Sequence, residues 1–134
     1  MGKSQVIDRD LGWQEAKVAA ASLDGHTLIV GVQEGATYPD GTSVAYVAGL
    51  HEFGSPGGKV PARPWMRPVL DAERDRIGDA MTKAARLAQV NPRFGKTILN
   101  ALGELLAEKL RASIRRQSLI DTGRFIGSIT HEVR

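Results

Sequence analysis

The chain contains no cysteine, which excludes disulfide bonds and thiolate metal sites. Any enzymatic nucleophile would therefore have to be an oxygen or an amine. A cysteine-free chain suits assembly in a reducing compartment.

Aromatic residues and long apolar runs are also scarce. Phe, Trp and Tyr make up 5% of the chain, so the core must consist mainly of aliphatic side chains and alanine. No apolar run approaches the roughly 20 residues that a membrane-spanning helix needs, and no apolar signal region follows residues 1–5. We expect a protein without a membrane partner that stays in the cytoplasm where it is made.

Length and charge predict one domain with two unlike halves. The 134 residues are 42% hydrophobic and 25% charged, which is typical of a single soluble globular domain, here residues 1–134. Residues 1–62 carry 4 Lys and Arg against 7 Asp and Glu, whereas residues 63–134 carry 14 against 8. This polarity permits head-to-tail contact between copies or a basic face toward nucleic acid, although a solvated surface is the favoured interpretation.

Apolar periodicity predicts a mixture of helices and strands. In the first half, the predicted elements are a short helix from Asp10 to Leu23 with a stop at Asp24-Gly25, a strand over 26–33, and a helix over 44–50 that is capped by Thr42 or Ser43 and ended by Gly54. In the second half, they are a helix of roughly twenty residues over 70–88, a long helix that starts at Pro92 after the cap Asn91, and a half-buried strand over 123–133.

The two predicted strands should pair with each other. The fold is then α+β, a small antiparallel sheet packed with two long helices and one or two short ones. Because a two-stranded ribbon is marginal in water, a third strand should come from residues 55–64 or from a neighbouring copy.

Residues 51–68 read HEFGSPGGKVPARPWMRP and hold four of the six prolines. Each proline fixes φ near about −65° and pushes the preceding residue toward extended conformations. This predicts an extended arm over 55–68 that turns at Gly54 and leaves the body of the domain.

These segments carry a family resemblance. HEFG and PARPWMRP, with Asp10-Leu11-Gly12-Trp13, Val30-Gly31-Val32, Leu119-Ile120-Asp121-Thr122-Gly123 and Ser128-Ile129, resemble a family of small virion proteins of tailed bacteriophages, the neck, tail-completion and minor tail proteins. The resemblance implies a structural protein without catalysis or cofactor, located in the virion and assembled in the host cytoplasm. A tail terminator or another minor tail protein is the alternative within this class.

The resemblance also implies partners. It implies a homo-oligomeric ring, a hexamer or a dodecamer, at the head–tail junction, next to head-connector, tail-terminator or tail-tube proteins. The arm would insert into the adjacent subunit, since exposed Trp and Arg dominate interface energies. The predicted interface residues are Val60, Pro61, Arg63, Pro64, Trp65, Met66 and Arg67. Alternatively, Trp65 and Met66 fold back onto their own subunit.

Basic residues gather near the end of the last long helix. Lys109, Arg111, Arg115 and Arg116 are candidates to line a channel and to contact packaged DNA without sequence specificity. The helix macrodipole, which favours cations at this end, is the simpler explanation. Outside a particle, the same residues would make a basic nucleic-acid-binding domain.

Two motifs suggest catalysis or metal binding. Asp121-Thr122-Gly123 also resembles the active-site triplet of aspartic proteases, but only 11 residues follow it, whereas much of the protease barrel follows the triplet. Turn chemistry is the favoured interpretation of Gly54, Asp121, Thr122 and Gly123. His51-Glu52 has Ser55 where H-E-x-x-H needs its second histidine. The remaining histidines, His26 and His131, fall on the two predicted strands and could form a site with Glu52 or Glu132, but histidines without a metal are far commoner in a sheet. We therefore expect no metal site, no cofactor and no enzymatic activity.

Overall fold

The computed structural model of the protein describes residues 4–8, 16–23, 26–119 and 123–134. The fold is α+β, as predicted. Its elements are β1 (Ser4–Asp8), β2 (Ala16–Leu23), β3 (His26–Val32), α1 (Val44–Phe53), α2 (Arg67–Ala72), α3 (Arg74–Ala88), α4 (Pro92–Arg116), α5 (Arg124–Gly127) and β4 (Ile129–Val133). In the part of the chain described, no helix is both long and apolar enough to cross a bilayer.

The strands form one sheet in the order β1-β2-β3-β4, and every neighbouring pair is antiparallel. The pairing of β3 with β4, which places Val30 opposite His131, confirms that the two predicted strands meet. The third and fourth strands come from the N-terminal residues. The prediction that residues 55–64 or another copy supply a third strand is therefore wrong.

The predicted helix ending at Leu23 is also wrong, because residues 16–23 are β2. Alanine favours helices intrinsically, but pairing on both sides overrides a preference of a few tenths of a kcal/mol per residue. Leu23 pairs with His26, and the predicted stop at Asp24-Gly25 lies outside the described residues. Asp10 and Trp13 lie outside the described residues.

The predicted helix boundaries are confirmed where capping residues mark them. The Ser43 hydroxyl accepts the N–H of Tyr46 at 3.3 Å at the start of α1, and the N–H of Gly54 donates to Leu50 O at its end. Asn91 accepts the N–H of Arg93 at 3.0 Å before α4, and Pro92 tolerates the first helical position because its missing N–H is not needed there. The predicted helix over 70–88 is two helices, α2 and α3, which meet at Glu73.

The core lies between the helices and one face of β3 and β4. Leu28, Val30 and Val32 alternate as buried residues along β3, which is the period of a strand with one covered face. The helical stripe that meets them consists of Leu99, Leu102, Leu106, Leu110 and Ile114. A Cβ on Gly103 would lie 2.5 Å from an imidazole carbon of His131, so glycine lets α4 approach the sheet closely.

The C-terminal strand is shorter than predicted. Instead of a strand over 123–133, residues 124–127 form the helical turn α5, and β4 begins at Ile129. The turn places Phe125 in the core at 2% exposure. The Ser128 hydroxyl then closes the turn by donating to Phe125 O at 2.6 Å.

Candidate interaction site

Glu52 connects the two segments on either side of the glycine-rich loop. It lies in the last turn of α1 and is 1% exposed. Its Oε1 accepts the backbone N–H groups of Trp65 at 2.9 Å and Met66 at 2.7 Å. Its Oε2 accepts the backbone N–H of Arg67 at 3.2 Å and the guanidinium Nε–H at 2.6 Å. One carboxylate thus holds the start of α2 against the end of α1.

The buried charge is compensated on every side. Arg67 also donates from Nη2 to Glu52 O at 2.6 Å, and its guanidinium carbon lies 4.7 Å from the centre of the Phe53 ring. Charge-assisted hydrogen bonds are about twice as strong as neutral ones, and a buried carboxylate without them would be strongly destabilising. Glu52 is therefore a structural anchor, and we call Glu52, Trp65, Met66 and Arg67 the clamp.

Trp65 anchors the clamp in the core. Its side chain is 0% exposed, and its indole N–H donates to Ala48 O at 3.0 Å. Its ring meets Phe125 edge-on at 5.0 Å between centroids, a favourable aromatic geometry. On the outer side of this cluster, the ring of His51 stacks on Phe125 at 6.0 Å.

This geometry corrects the predicted interface. Trp65 and Met66, at 0% and 2% exposure, cover their own subunit and are not available to a neighbour. They fold back because the indole and thioether bury apolar surface that an extended arm would leave in water. Arg67 and Pro68 belong to α2, so the extended arm over 55–68 does not exist as predicted.

The segment between the clamp residues is a compact loop that stays exposed. Residues 56–63 are all exposed, and we call them the clamped loop. Ser55 pins it, because its hydroxyl accepts the N–H of Val60 at 2.8 Å while its own N–H donates to Val60 O at 2.9 Å. Gly57 and Gly58 reverse the chain with φ of +86° and +76°, a region that side chains disfavour.

The base of the clamped loop is closed by backbone contacts. The N–H of Arg63 donates to His51 O at 2.6 Å. Gly54 has φ +77°, and a Cβ there would lie 3.0 Å from Val60 O and from Ala62 N. Gly54 therefore turns the chain at the base of the loop.

His51 has an altered acidity at this base. Partial burial, and secondarily the charge of Arg63, lower the pKa of the His51 imidazole. The neutral ring stacked on Phe125 is therefore the favoured form in the folded protein.

The predicted basic group is only partly available. Arg111 and Arg115 both contact Glu108, at 3.2 and 3.6 Å, whereas Lys109 and Arg116 are exposed. The end of α4 nevertheless lies close to the clamp, because Gln117 donates from its side-chain amide to Pro64 O at 3.2 Å.

The remaining candidate residues do not assemble into a chemical site. Asp121 and Thr122 lie outside the described residues, while Gly123 adopts φ +79° and so fits the predicted turn. His131 faces Val30 in the register, and His26 lies four positions from Val30 along β3. Within the described ranges, no three His, Asp or Glu side chains are grouped as a metal site would require.

Sequence reasoning missed the main organising residue. The HEFG segment and the incomplete zinc motif both contain Glu52, but neither predicts that it anchors a later helix. The available signal is an acidic residue two positions before the glycine that ends α1. Phe125 and Gln117 were missed because their partners, Trp65 and Pro64, are more than 50 residues away in sequence.

No family model, curated protein or solved structure matches this chain.

Proposed function

We propose that the protein is a structural component of a tailed-bacteriophage virion, a neck or tail-completion protein that forms an oligomeric ring at the head–tail junction. One observation supports this most directly. The two segments that carry the resemblance, HEFG and PARPWMRP, are joined by Glu52 through four hydrogen bonds and present a single exposed loop between them.

A preformed loop is an efficient docking element. Its Ser55 contacts and its closed base fix the backbone before any partner arrives, so that little conformational entropy is lost on binding. The residues that the loop offers are Lys59, Val60, Pro61 and Arg63, all exposed. They replace Trp65 and Met66 as the proposed contact residues.

The charge of this region indicates the kind of surface it meets. Between Glu52 and Asp71 the sequence holds Lys59, Arg63 and Arg67 and no acidic residue. Since Arg67 is held by Glu52, the cations that remain for a partner are Lys59 and Arg63. Around Val60 they fit an acidic surface with an apolar depression, on an adjacent subunit or a neighbouring neck protein.

The test is to locate the chain in particles. Cells that express the chain together with its neighbouring genes are lysed, and the particles are labelled with gold-coupled antibody against the purified protein. We expect label at the junction of head and tail. Particles without label, or with label elsewhere, would overturn the proposal.

A loop variant tests the docking role separately. The double substitution Val60→Asp with Arg63→Glu should leave the circular dichroism spectrum and melting temperature unchanged and lower incorporation into particles at least about tenfold. Lys83→Glu, which changes an exposed cation on α3, is the matched control and should be incorporated normally. Equal incorporation of both variants would remove the loop from the interface.

A further inference from the structure

The outer edge of β4 carries backbone groups that point away from the sheet. Thr27 and Arg134 exchange both N–H to O bonds at 2.8 Å, and the N–H of Gln33 donates to Ser128 O at 2.6 Å. In an antiparallel pair, directly opposed residues alternate between bonded and non-bonded positions. Thr130 and Glu132 therefore bond to β3, whereas Ile129, His131 and Val133 direct their N–H and C=O groups outward.

One of these outward groups already has a partner. Arg111 donates from Nη2 to Ile129 O at 2.8 Å, so a charged side chain covers the beginning of the edge. Side chains of this kind are a common way to limit where an edge strand pairs. The outward groups of His131 and Val133 meet no further strand within the part of the chain that the structure describes.

We propose that the outer edge of β4 pairs with the β1 edge of a second copy of this chain, so that the sheet continues from subunit to subunit. This rests on the proposed ring and identifies the contact that would build it. β1 is the opposite edge of the same sheet, and both strands have five residues.

Strand direction supports this partner. The sheet formed by the described residues has four strands, each antiparallel to its neighbours, so β1 and β4 of one copy run in opposite directions. A rotation about a ring axis roughly parallel to the strands keeps these directions, and the next copy therefore presents β1 antiparallel to β4. The antiparallel alternation of the sheet then continues through the contact. A heterologous contact of this kind forms a ring when the rotation between copies closes after a full turn.

The charges of the two edges are compatible with this pairing. β1, with the sequence SQVID, has one acidic residue and no basic one. The β4 edge lies between Arg111 and Arg134, although each also contacts a carboxylate, at 3.2 Å in both cases. If a β4 edge faced the β4 edge of another copy, the arginines of the two copies would approach each other.

The substitution Val133→Pro tests whether the contact needs the outward backbone N–H of residue 133. It removes an N–H that points outward and spares the bonds to β3, whereas Val133→Ala makes a similar loss of side chain and keeps the N–H. Both variants should fold, as judged by circular dichroism. In sedimentation against concentration, Val133→Pro should weaken self-association about tenfold or more, and Val133→Ala should not. Equal association of both folded variants would overturn the proposal.

Cross-linking identifies the partner strand even if the proline variant fails to fold. The chain has no natural cysteine, so Glu132→Cys in one copy is mixed with Gln5→Cys or Ile7→Cys in another copy of different tag length. We expect an oxidised product that joins the two tags, and none with the control Asp71→Cys on α2.

The outcomes separate the two proposals. Cross-links only between two Glu132→Cys chains would show a symmetric β4 contact, and no cross-link at concentrations where the protein self-associates would show another interface. Either result overturns the edge pairing while leaving the virion proposal standing. A chain that labels the head–tail junction yet stays monomeric at all concentrations also overturns it, whereas a chain absent from particles overturns the virion proposal itself.

Discussion

Replacing Glu52 with glutamine should destabilise the protein more than any surface change. The amide keeps one oxygen for the N–H groups of Trp65 and Met66, but its NH2 group then faces the N–H and Nε–H donors of Arg67. Two charge-assisted hydrogen bonds are lost, and two donors are left facing a donor.

The magnitude follows from burial. Breaking a buried ion pair by removing one partner costs about 3 to 5 kcal/mol. The Arg67 side chain is 47% exposed and recovers part of its hydration, so we expect the lower end, about 3 kcal/mol. Glu108→Gln is the matched control, because Glu108 contacts Arg111 and Arg115 but is 61% exposed, and its loss should cost less than about 1 kcal/mol.

The assay is urea denaturation followed by tryptophan fluorescence and far-ultraviolet circular dichroism. The difference in midpoint multiplied by the slope gives the free energy for each variant. Limited proteolysis of the Glu52→Gln variant should also cut first within residues 56–63, since the clamp no longer closes the loop. A loss below about 1 kcal/mol, equal to that of the control, would refute the view of Glu52 as an anchor.

Three further predictions concern packing, pH and capping. Gly103→Ala places a methyl 2.5 Å from an imidazole carbon of His131 and should lower the unfolding free energy by about 1 to 3 kcal/mol. Gly78→Ala, whose methyl meets nothing within 4 Å, should raise it by about 0.5 to 1 kcal/mol. Equal effects of the two variants in calorimetry would contradict the close approach of α4 to the sheet. Burial, and secondarily the charge of Arg63, lower the pKa of His51 from its ordinary 6.5. The unfolded chain therefore takes up the proton first, and stability should fall as the pH drops below about 6.5. The urea midpoint of His51→Asn should depend less on pH than that of the unaltered protein between about pH 7.5 and about pH 5, and the same pH dependence in both would exclude His51 as the cause. Asn91→Ala removes the acceptor that caps α4 and should cost about 1 kcal/mol in thermal unfolding, so an unchanged melting temperature would show that the cap is dispensable.

Local signals were sufficient to predict several elements. Ser43 and Asn91 mark helix starts through side-chain acceptors that act within three residues, and the apolar stripe of α4 repeats over its 25 residues. The β-branched run over 26–32 is a strand with or without knowledge of its neighbours. These features depend on nearby residues, which is why sequence patterns identify them.

Features set by distant contacts were not predictable in the same way. Residues 16–23 match helical spacing, yet they become β2 because strands lie on both sides. The prolines correctly exclude helix over 55–64, but their stiffness does not say where the segment lies. Burial of Trp65 depends on Phe125, 60 residues later, and the acceptance of three consecutive N–H groups by Glu52 depends on a chain reversal that only the whole fold supplies.

The positions of the anchoring contacts have a practical consequence for engineering. Both pairs that close the loop lie outside its tip, at Ser55 with Val60 and at His51 with Arg63, and the space around Gly57 and Gly58 is open. A short peptide epitope or a fluorophore acceptor sequence inserted between these two glycines would project from the molecule without straining its scaffold.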